Sequence, residues 1–227
     1  MVSGIRIGSK PSEIDKSWIE ILNKSSLARQ TIANNKDFMR VIASDEELMN
    51  TVVSNNTALN VVISNERAMN VIALSENAMN VIASNTTARS AVQNSSVAWN
   101  IIKESSMAMG KIIAGIIGLN PSVYKDITAL VMDDSAMNAI VSNVDAMNAV
   151  VTSEITMRII AAVESAINIL VASATALNIV WQNDGARQIL WQSHAARLAI
   201  WNNIDTLRSI LETTSPDLVS DVQLNIR

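Results

Sequence analysis

The chain has 227 residues, of which 49% are apolar and 17% charged, and its formal net charge is −4. This composition excludes a disordered chain, which would be poor in apolar residues, and the mild acidity argues against nucleic acid as a partner. There is no cysteine to form disulfides, and a single histidine leaves no imidazole cluster for a metal. The apolar stretches are shorter than the roughly 20 residues that cross a bilayer, so no membrane span is predicted.

The first residues, 1–14, lie outside the repeat that fills most of the chain. Ile5 and Ile7 alternate with polar residues there, which is typical of an extended strand-like segment. The ends of a repeat array must cover apolar surface that interior repeats cover for one another. We therefore predict an extended segment at the N-terminus.

A ten-residue repeat occupies residues 15–110, the first arm of the array. In its clearest copy the anchor alanine, Ala68, is followed by Met69 and Asn70, and a similar triplet returns at Ala78. Val, Ile, Leu, Ala or Trp follows each anchor by three to five positions, and Ser, Thr or Asn precedes many anchors by three or four. Such a bias with a fixed period indicates a repeat architecture.

The period of ten argues against one continuous helix, because ten residues turn about 1000°, roughly 80° short of three full turns. A β-solenoid would need many glycines at its turns, and the chain has six. One short helix per repeat fits better, with Ser or Thr as the N-cap and one apolar face. Ser44 to Glu47 even has the spacing of a capping box. Helices this short are unstable alone, so we predict an all-α solenoid of stacked short helices.

Asn follows the anchor by two positions in many repeats, as at Asn70 and Asn80. One interpretation is a structural ladder that bonds the ends or turns of adjacent helices, and the other is a polar stripe that recognises a ligand. The ladder is favoured because Asn is a mediocre helix former that competes for backbone groups in turns.

The repeat fails over residues 111–121, where Gly115, Gly118 and Pro121 punctuate the sequence. We predict a corner there, followed by a second arm over residues 122–212. A C-terminal segment, 213–227, then begins with a helix-stopping sequence before Pro216. Its alternating apolar residues predict an extended docking segment that binds a partner by strand pairing, through Leu218, Val222, Leu224 and Ile226. The alternatives are that the two ends of the chain pair with each other, or that both are frayed tails.

Three tryptophans, Trp181, Trp191 and Trp201, occupy the same position of successive repeats, five residues after the anchor. They are either an aromatic column within the core or an exposed strip that binds a partner chain or sugar. Arg187 and Arg197 recur beside them, and either cover the rings or form a recognition stripe with them. These five residues are the candidate partner-binding residues of the second arm.

The sequence contains no pattern that indicates catalytic, cofactor-binding or metal-binding residues. His194 stands at a variable position near a predicted helix start, which favours a solvated side chain. Glu46 and Asp133 belong to acidic pairs in first-turn positions, where carboxylates suit the helix dipole. Gly115 and Gly118 lack the Lys and the preceding strand of a phosphate loop. We therefore expect no enzyme and no cofactor.

The repeats from Ser64 to Ile72 and from Ser142 to Val150 resemble those of tail-fibre-like and other virion structural proteins of tailed bacteriophages. The resemblance covers residues 25–211. It implies a non-enzymatic part of a virion, such as a tail fibre, baseplate or adaptor protein, assembled in the host cytoplasm. Its partners would be other virion proteins and copies of itself. The alternative is a free-standing repeat module that binds a protein or glycan in bacterial surface adhesion.

Overall fold

A computed structural model describes residues 25–214 of the chain, and in this range it is all-α, with eighteen α-helices and no strand. Most of these helices are seven to nine residues long; the shortest has five residues and the two longest have eleven. No helix in the described range runs across three repeats. The prediction of an all-α solenoid-like fold built from short helices is therefore confirmed.

The helices follow the ten-residue period closely. Up to the predicted corner they are α1 (Ser26–Asn34), α2 (Lys36–Ser44), α3 (Glu46–Ser54), α4 (Asn56–Ile63), α5 (Glu66–Ile72), α6 (Glu76–Ser84), α7 (Thr86–Asn94), α8 (Ser96–Ile102) and α9 (Ser106–Ile116). A short 3₁₀ helix (Pro121–Val123) follows, and then α10 (Ile127–Val131), α11 (Asp134–Val141), α12 (Val144–Val151), α13 (Glu154–Ala162), α14 (Glu164–Ala172), α15 (Ala174–Trp181), α16 (Asp184–Gln192), α17 (His194–Asn202) and α18 (Ile204–Thr214).

Most helices begin at a polar cap three residues before the anchor; α14, which follows Val163, has no side-chain cap. The Asn35 side chain accepts hydrogen bonds from the backbone N–H groups of Asp37 and Phe38, at 3.0 and 3.2 Å. Asn35 itself is extended (φ −95°, ψ 109°) and is the only residue between α1 and α2. One residue therefore both ends a helix and caps the next, which is how the chain turns within a period of ten.

The capping residue at the predicted capping box differs from the expectation. Ser44 is the last residue of α2, and Asp45 caps α3 by accepting from the Leu48 N–H at 3.0 Å. Asp lies three residues before the anchor, whereas Ser44 lies one residue too early to reach that N–H. The same geometry makes Asn the cap at several other repeats, so the cap is not restricted to Ser or Thr.

Within residues 25–101, and again within residues 102–214, most helices pack on the next one and on the third one after it: α2 packs on α5, α3 on α6, α14 on α17, and α15 on α18. Three helices therefore complete one turn of the solenoid, and successive turns stack. In most repeats the anchor, the residue after it, and the residues four and five positions on face this stack and are buried; Ala68 and Ala78 are fully buried. A small anchor allows the helix backbones to approach closely.

Serine caps also link one turn of the solenoid to the next. The Ser75 hydroxyl accepts from the Ala78 N–H at 3.2 Å and donates to the carbonyl of Ala43, 32 residues earlier, at 2.5 Å. Ser193 makes the same bond to the carbonyl of Ala161 at 2.7 Å. A hydroxyl can do both because it is a donor and an acceptor at once.

The predicted asparagine ladder is wrong. Asn70 and most residues at its position lie in mid-helix and are exposed, so they do not reach the turns between helices. Asn80 is half-buried, and its Oδ1 atom is buried without a hydrogen-bond partner. The inter-turn bonds come from the serine caps and from asparagines at or near the helix start: Asn65 donates to Asn34 Oδ1 and Asn77 to the Ser44 carbonyl, both at 3.0 Å.

The described chain divides into two compact units, the first ending at Ile101 and the second beginning at Ile102. This boundary precedes the predicted corner, and α9 continues as helix through the first half of the segment 111–121. The turn itself lies at Gly118, whose φ of +77° is in the left-handed region that glycine adopts readily. The predicted terminal segment 1–14 and most of 213–227 lie outside the described residues, apart from Thr213 and Thr214 in α18.

Candidate interaction surface

The three tryptophans occupy a core position of the repeat, but they differ greatly in exposure. Trp181 is 2% exposed, Trp191 is half-buried and Trp201 is 58% exposed. Trp181 is buried because α18, the third helix after α15, packs on α15 and covers it. Within the described residues no helix lies three positions after α16 or α17, so Trp191 and Trp201 lack that cover.

Two of the three rings form an aromatic pair. The ring centroids of Trp181 and Trp191 are 5.7 Å apart and the ring planes meet at 84°, an edge-to-face contact. Such pairs contribute about 0.5–1.5 kcal/mol beyond the burial of their area. Trp181 is therefore a core residue that a partner cannot reach, and Trp191 presents only part of its surface.

The two arginines beside these rings bond to backbone groups. Arg187 donates to the carbonyl oxygen of Trp181 and pairs with Asp184 at 2.5 Å, and Arg197 donates to the carbonyl oxygen of Trp191 at 2.6 Å. Each arginine thus satisfies a free carbonyl in the last turn of the preceding helix, where a cation also suits the helix dipole. These bonds hold both side chains against the solenoid.

The first unit contains the same arrangement at the same repeat position. There Arg89 donates to the carbonyl oxygen of Ala83. Partial burial lowers the pKa of Arg89, because desolvation disfavours its charged form. In these three repeats the arginine directly after the anchor therefore bonds to a carbonyl at the end of the preceding helix.

An exposed leucine lies next to Trp201 and was not among the predicted residues. Leu198 is 54% exposed and precedes Trp201 by three positions in α17, so the two side chains share one face of that helix. The sequence signal was available: Leu198 replaces the polar residue that usually stands two positions after the anchor. We call Trp191, Leu198 and Trp201 the terminal surface.

The other predicted partner-binding residues, Leu218, Val222, Leu224 and Ile226, lie outside the described residues. They follow α18, the last helix of the described residues. The structure therefore does not test the predicted strand pairing.

His194 is exposed at the start of α17. The Tyr124 hydroxyl donates to Asp133 at 2.9 Å, and Asp133 also accepts from the backbone N–H groups of Ser135 and Ala136. These bonds lower the pKa of Asp133, the one from Ala136 most, whereas burial and the bond to Asp133 raise the pKa of Tyr124.

No group of three His, Asp or Glu side chains in residues 25–214 is placed to hold a metal ion. In the same range no single helix is long and apolar enough to cross a membrane. Together α13 and α14 have the required length and apolar character, but the two helices are bent by 103° relative to each other.

Comparison of the sequence with protein-family models and with curated proteins found no match.

Proposed function

We propose that this protein is a structural, non-enzymatic component of a phage virion, a helical-repeat scaffold that joins other virion proteins through its terminal surface. The observation that carries the proposal is the exposure of Trp201, 58%, at a repeat position where Trp181 is 2% exposed. A large aromatic side chain on a packed helix is a typical anchor of a protein interface. The virion setting comes from the resemblance of the repeats to those of tail-fibre-like proteins.

The solenoid suits this role because its stability is distributed along the array. Within each unit, serine caps such as Ser75 and Ser193 bond one turn to the preceding turn, and the anchor alanines are buried. The outward-facing residues are then free to vary, which lets one scaffold carry different contacts along its length. Trp201 and Leu198 are such contacts at the last full turn.

The experiment compares particles assembled with wild-type protein and with Trp201→Ala. The gene is expressed with its genomic neighbours, and the copies per purified particle are counted by quantitative mass spectrometry. We expect at least about a thirtyfold loss of affinity for the neighbouring protein, since interface hot spots contribute 2 kcal/mol or more, and a corresponding fall in occupancy.

Val144→Ala is the matched control, because Val144 is an apolar side chain of similar exposure, 53%, away from the terminal surface. It should assemble like the wild type. Full occupancy of Trp201→Ala would remove the terminal surface from the proposal. If wild-type protein is missing from the particles but binds the bacterial surface, the adhesion alternative replaces the virion function.

A further inference from the structure

A groove of about 920 Å³ lies in the first unit, where α2 packs on α5. Its walls come from the end of α1, from α2 and α5, and from the residues that lead into α6. Three cationic side chains line it, Lys36, Arg40 and Arg67, together with the apolar Val71 and Leu74. Leu74 is 84% exposed, the highest exposure of any large apolar side chain in the described residues.

The charge of this groove is unusual for this chain. Residues 25–101 contain five lysines and arginines, and three of them line the groove, although the whole chain has a net charge of −4. None of the described residues that line it is Asp or Glu. Asp37, on the same helix as Arg40, pairs with Arg40 at 3.3 Å. The groove keeps an excess positive charge after that pair is counted.

The second unit contains the same groove with different chemistry. It measures about 300 Å³ and lies where α13 packs on α16. The two grooves are related by a shift of 118 residues, the separation of Ser75 from Ser193, whose equivalent inter-turn bonds run beside them. The shift replaces Lys36 by Glu154, Arg40 by Arg158, Arg67 by Gly185, and Leu74 by Gln192.

The two grooves arise from the same helix packing but carry different side chains. The stacking of a helix on the third one after it produces a groove in both units, so its shape needs no ligand to explain it. In the second groove Glu154 neutralises Arg158 at 2.7 Å, and Gly185 offers no side chain. Lys36, Arg67 and the exposed Leu74 are therefore particular to the first groove, whereas an arginine at the position of Arg40 occurs in both.

We infer that the first groove binds an acidic segment of a partner protein that also carries an apolar side chain. Lys36, Arg40 and Arg67 would face its carboxylates, and Leu74 with Val71 would contact the apolar residue. Charge complementarity of this kind steers binding and fixes its register. A nucleic acid fits less well, since the described lining has no aromatic side chain on which bases would stack, and phosphate binding usually draws on more cations.

The test uses a fluorescein-labelled peptide made only of Glu, Asp and Leu, with a peptide of Gln, Asn and Leu as its uncharged counterpart. Binding to the full chain is measured by fluorescence anisotropy at low and at physiological salt. We expect the acidic peptide alone to bind, more weakly as salt rises, because exposed charges are screened. Arg67→Glu should weaken binding by about tenfold or more, since it turns an attraction into a repulsion. Arg158→Glu, in the second groove, is the matched control and should leave binding unchanged.

The position of the peptide is tested by cross-linking. Because the chain has no cysteine, Leu74→Cys and Gln192→Cys each provide one attachment site for a photo-activated cross-linker at equivalent places in the two grooves. The peptide should cross-link from position 74 and not from position 192. Equal cross-linking from both, equal binding of the uncharged peptide, or an unchanged affinity in Arg67→Glu would each overturn the inference. Displacement of the peptide by duplex DNA at a lower concentration would reassign the groove to nucleic acid.

The inference rests on the proposed function only in taking the partner to be another virion protein. The two can fail separately. If Trp201→Ala lowers particle occupancy but the acidic peptide does not bind, the groove inference is wrong and the proposed function stands. If the peptide binds as expected but wild-type protein does not enter particles, the groove stands and the virion function is wrong.

Discussion

Gly110 is the position at which a single methyl group should do most damage. It follows Met109 in α9, at the repeat position that often carries Asn. A Cβ atom added there would lie 2.4 Å from the carbonyl carbon of Asp126 and 2.5 Å from the backbone nitrogen of Ile127, at the start of α10. Both are backbone atoms, so relief requires α9 and α10 to separate by about 1 Å.

The expected sign is opposite to that of an ordinary Gly→Ala change. In an exposed helix interior alanine gains about 0.5–1 kcal/mol over glycine. Overpacking costs about 1–3 kcal/mol, and a backbone clash belongs to the upper part of that range. We expect Gly110→Ala to lose about 1–2 kcal/mol in the free energy of unfolding, or roughly 2–8 °C in Tm at about 2–4 °C per kcal/mol.

Two other glycines provide controls with different physics. Gly185 lies in α16, where the nearest atom to an added Cβ, Asn183 Oδ1, is 3.4 Å away, so Gly185→Ala should leave stability unchanged or slightly raise it. Gly118 has open space around it but a φ of +77°. Gly118→Ala should therefore cost about 1–2 kcal/mol through backbone conformation alone.

Urea denaturation is followed for each variant by circular dichroism and tryptophan fluorescence. Two probes are needed because repeat arrays can unfold in steps, and the pair of Trp181 and Trp191 reports on the second unit. A Gly110→Ala variant as stable as the wild type, or a Gly185→Ala variant destabilised as much as Gly110→Ala, would contradict a backbone clash at Gly110.

Three further predictions follow from the caps, the anchors and the tyrosine pair. Ser75→Ala should lower the free energy of unfolding, measured by urea denaturation, by about 2–3 kcal/mol, because it removes a cap and leaves a carbonyl of the previous turn unpaired. Asn85→Ala, which removes only a cap, should lower it by about 1 kcal/mol. Equal losses in the two variants would contradict the inter-turn bond. Ala78→Leu should lower stability by about 1–3 kcal/mol through overpacking at a fully buried position, and an unchanged Tm would count against stacked helices. Folding lowers the pKa of Asp133, so this carboxylate stabilises the protein at pH values above its unfolded pKa, and that stability is lost as pH falls through the folded pKa. Tyr124→Phe removes one of the hydrogen bonds responsible and should raise the Asp133 pKa in a carboxyl-carbon NMR titration. An unshifted titration curve would show that this hydrogen bond is unimportant.

The local structure of this chain follows from its sequence because caps and apolar faces are short-range signals. A polar residue three positions before Ala78 predicts a helix start, and the burial of Ala78 follows from the spacing of the residues after it. The choice between Ser44 and Asp45 as the cap was mistaken by one residue, since both side chains can cap a helix and only the distance to the Leu48 N–H decides between them.

The arrangement of helices into turns of three could not be predicted from a period of ten. That number depends on the angle between consecutive helices, which the single extended residue between them sets in three dimensions. Without it, Trp181 and Trp201 look equivalent, and the two cations Arg40 and Arg67 look unrelated because 27 positions separate them. With it, the difference in tryptophan exposure and the gathering of cations in one groove both follow.

Because three helices complete one turn, the number of repeats before a residue sets the side of the solenoid on which that residue lies. Ten residues add one helix, so in the second unit a gained or lost repeat rotates everything after it by a third of a turn. Trp201 would then point to a different side of the solenoid, although every local contact before it is unchanged. Only the gain or loss of three repeats, thirty residues, would leave Trp201 on the same side of the solenoid. A partner that must meet Trp201 from a fixed side would therefore tolerate duplications by whole turns and reject single repeats, however well each of them folds.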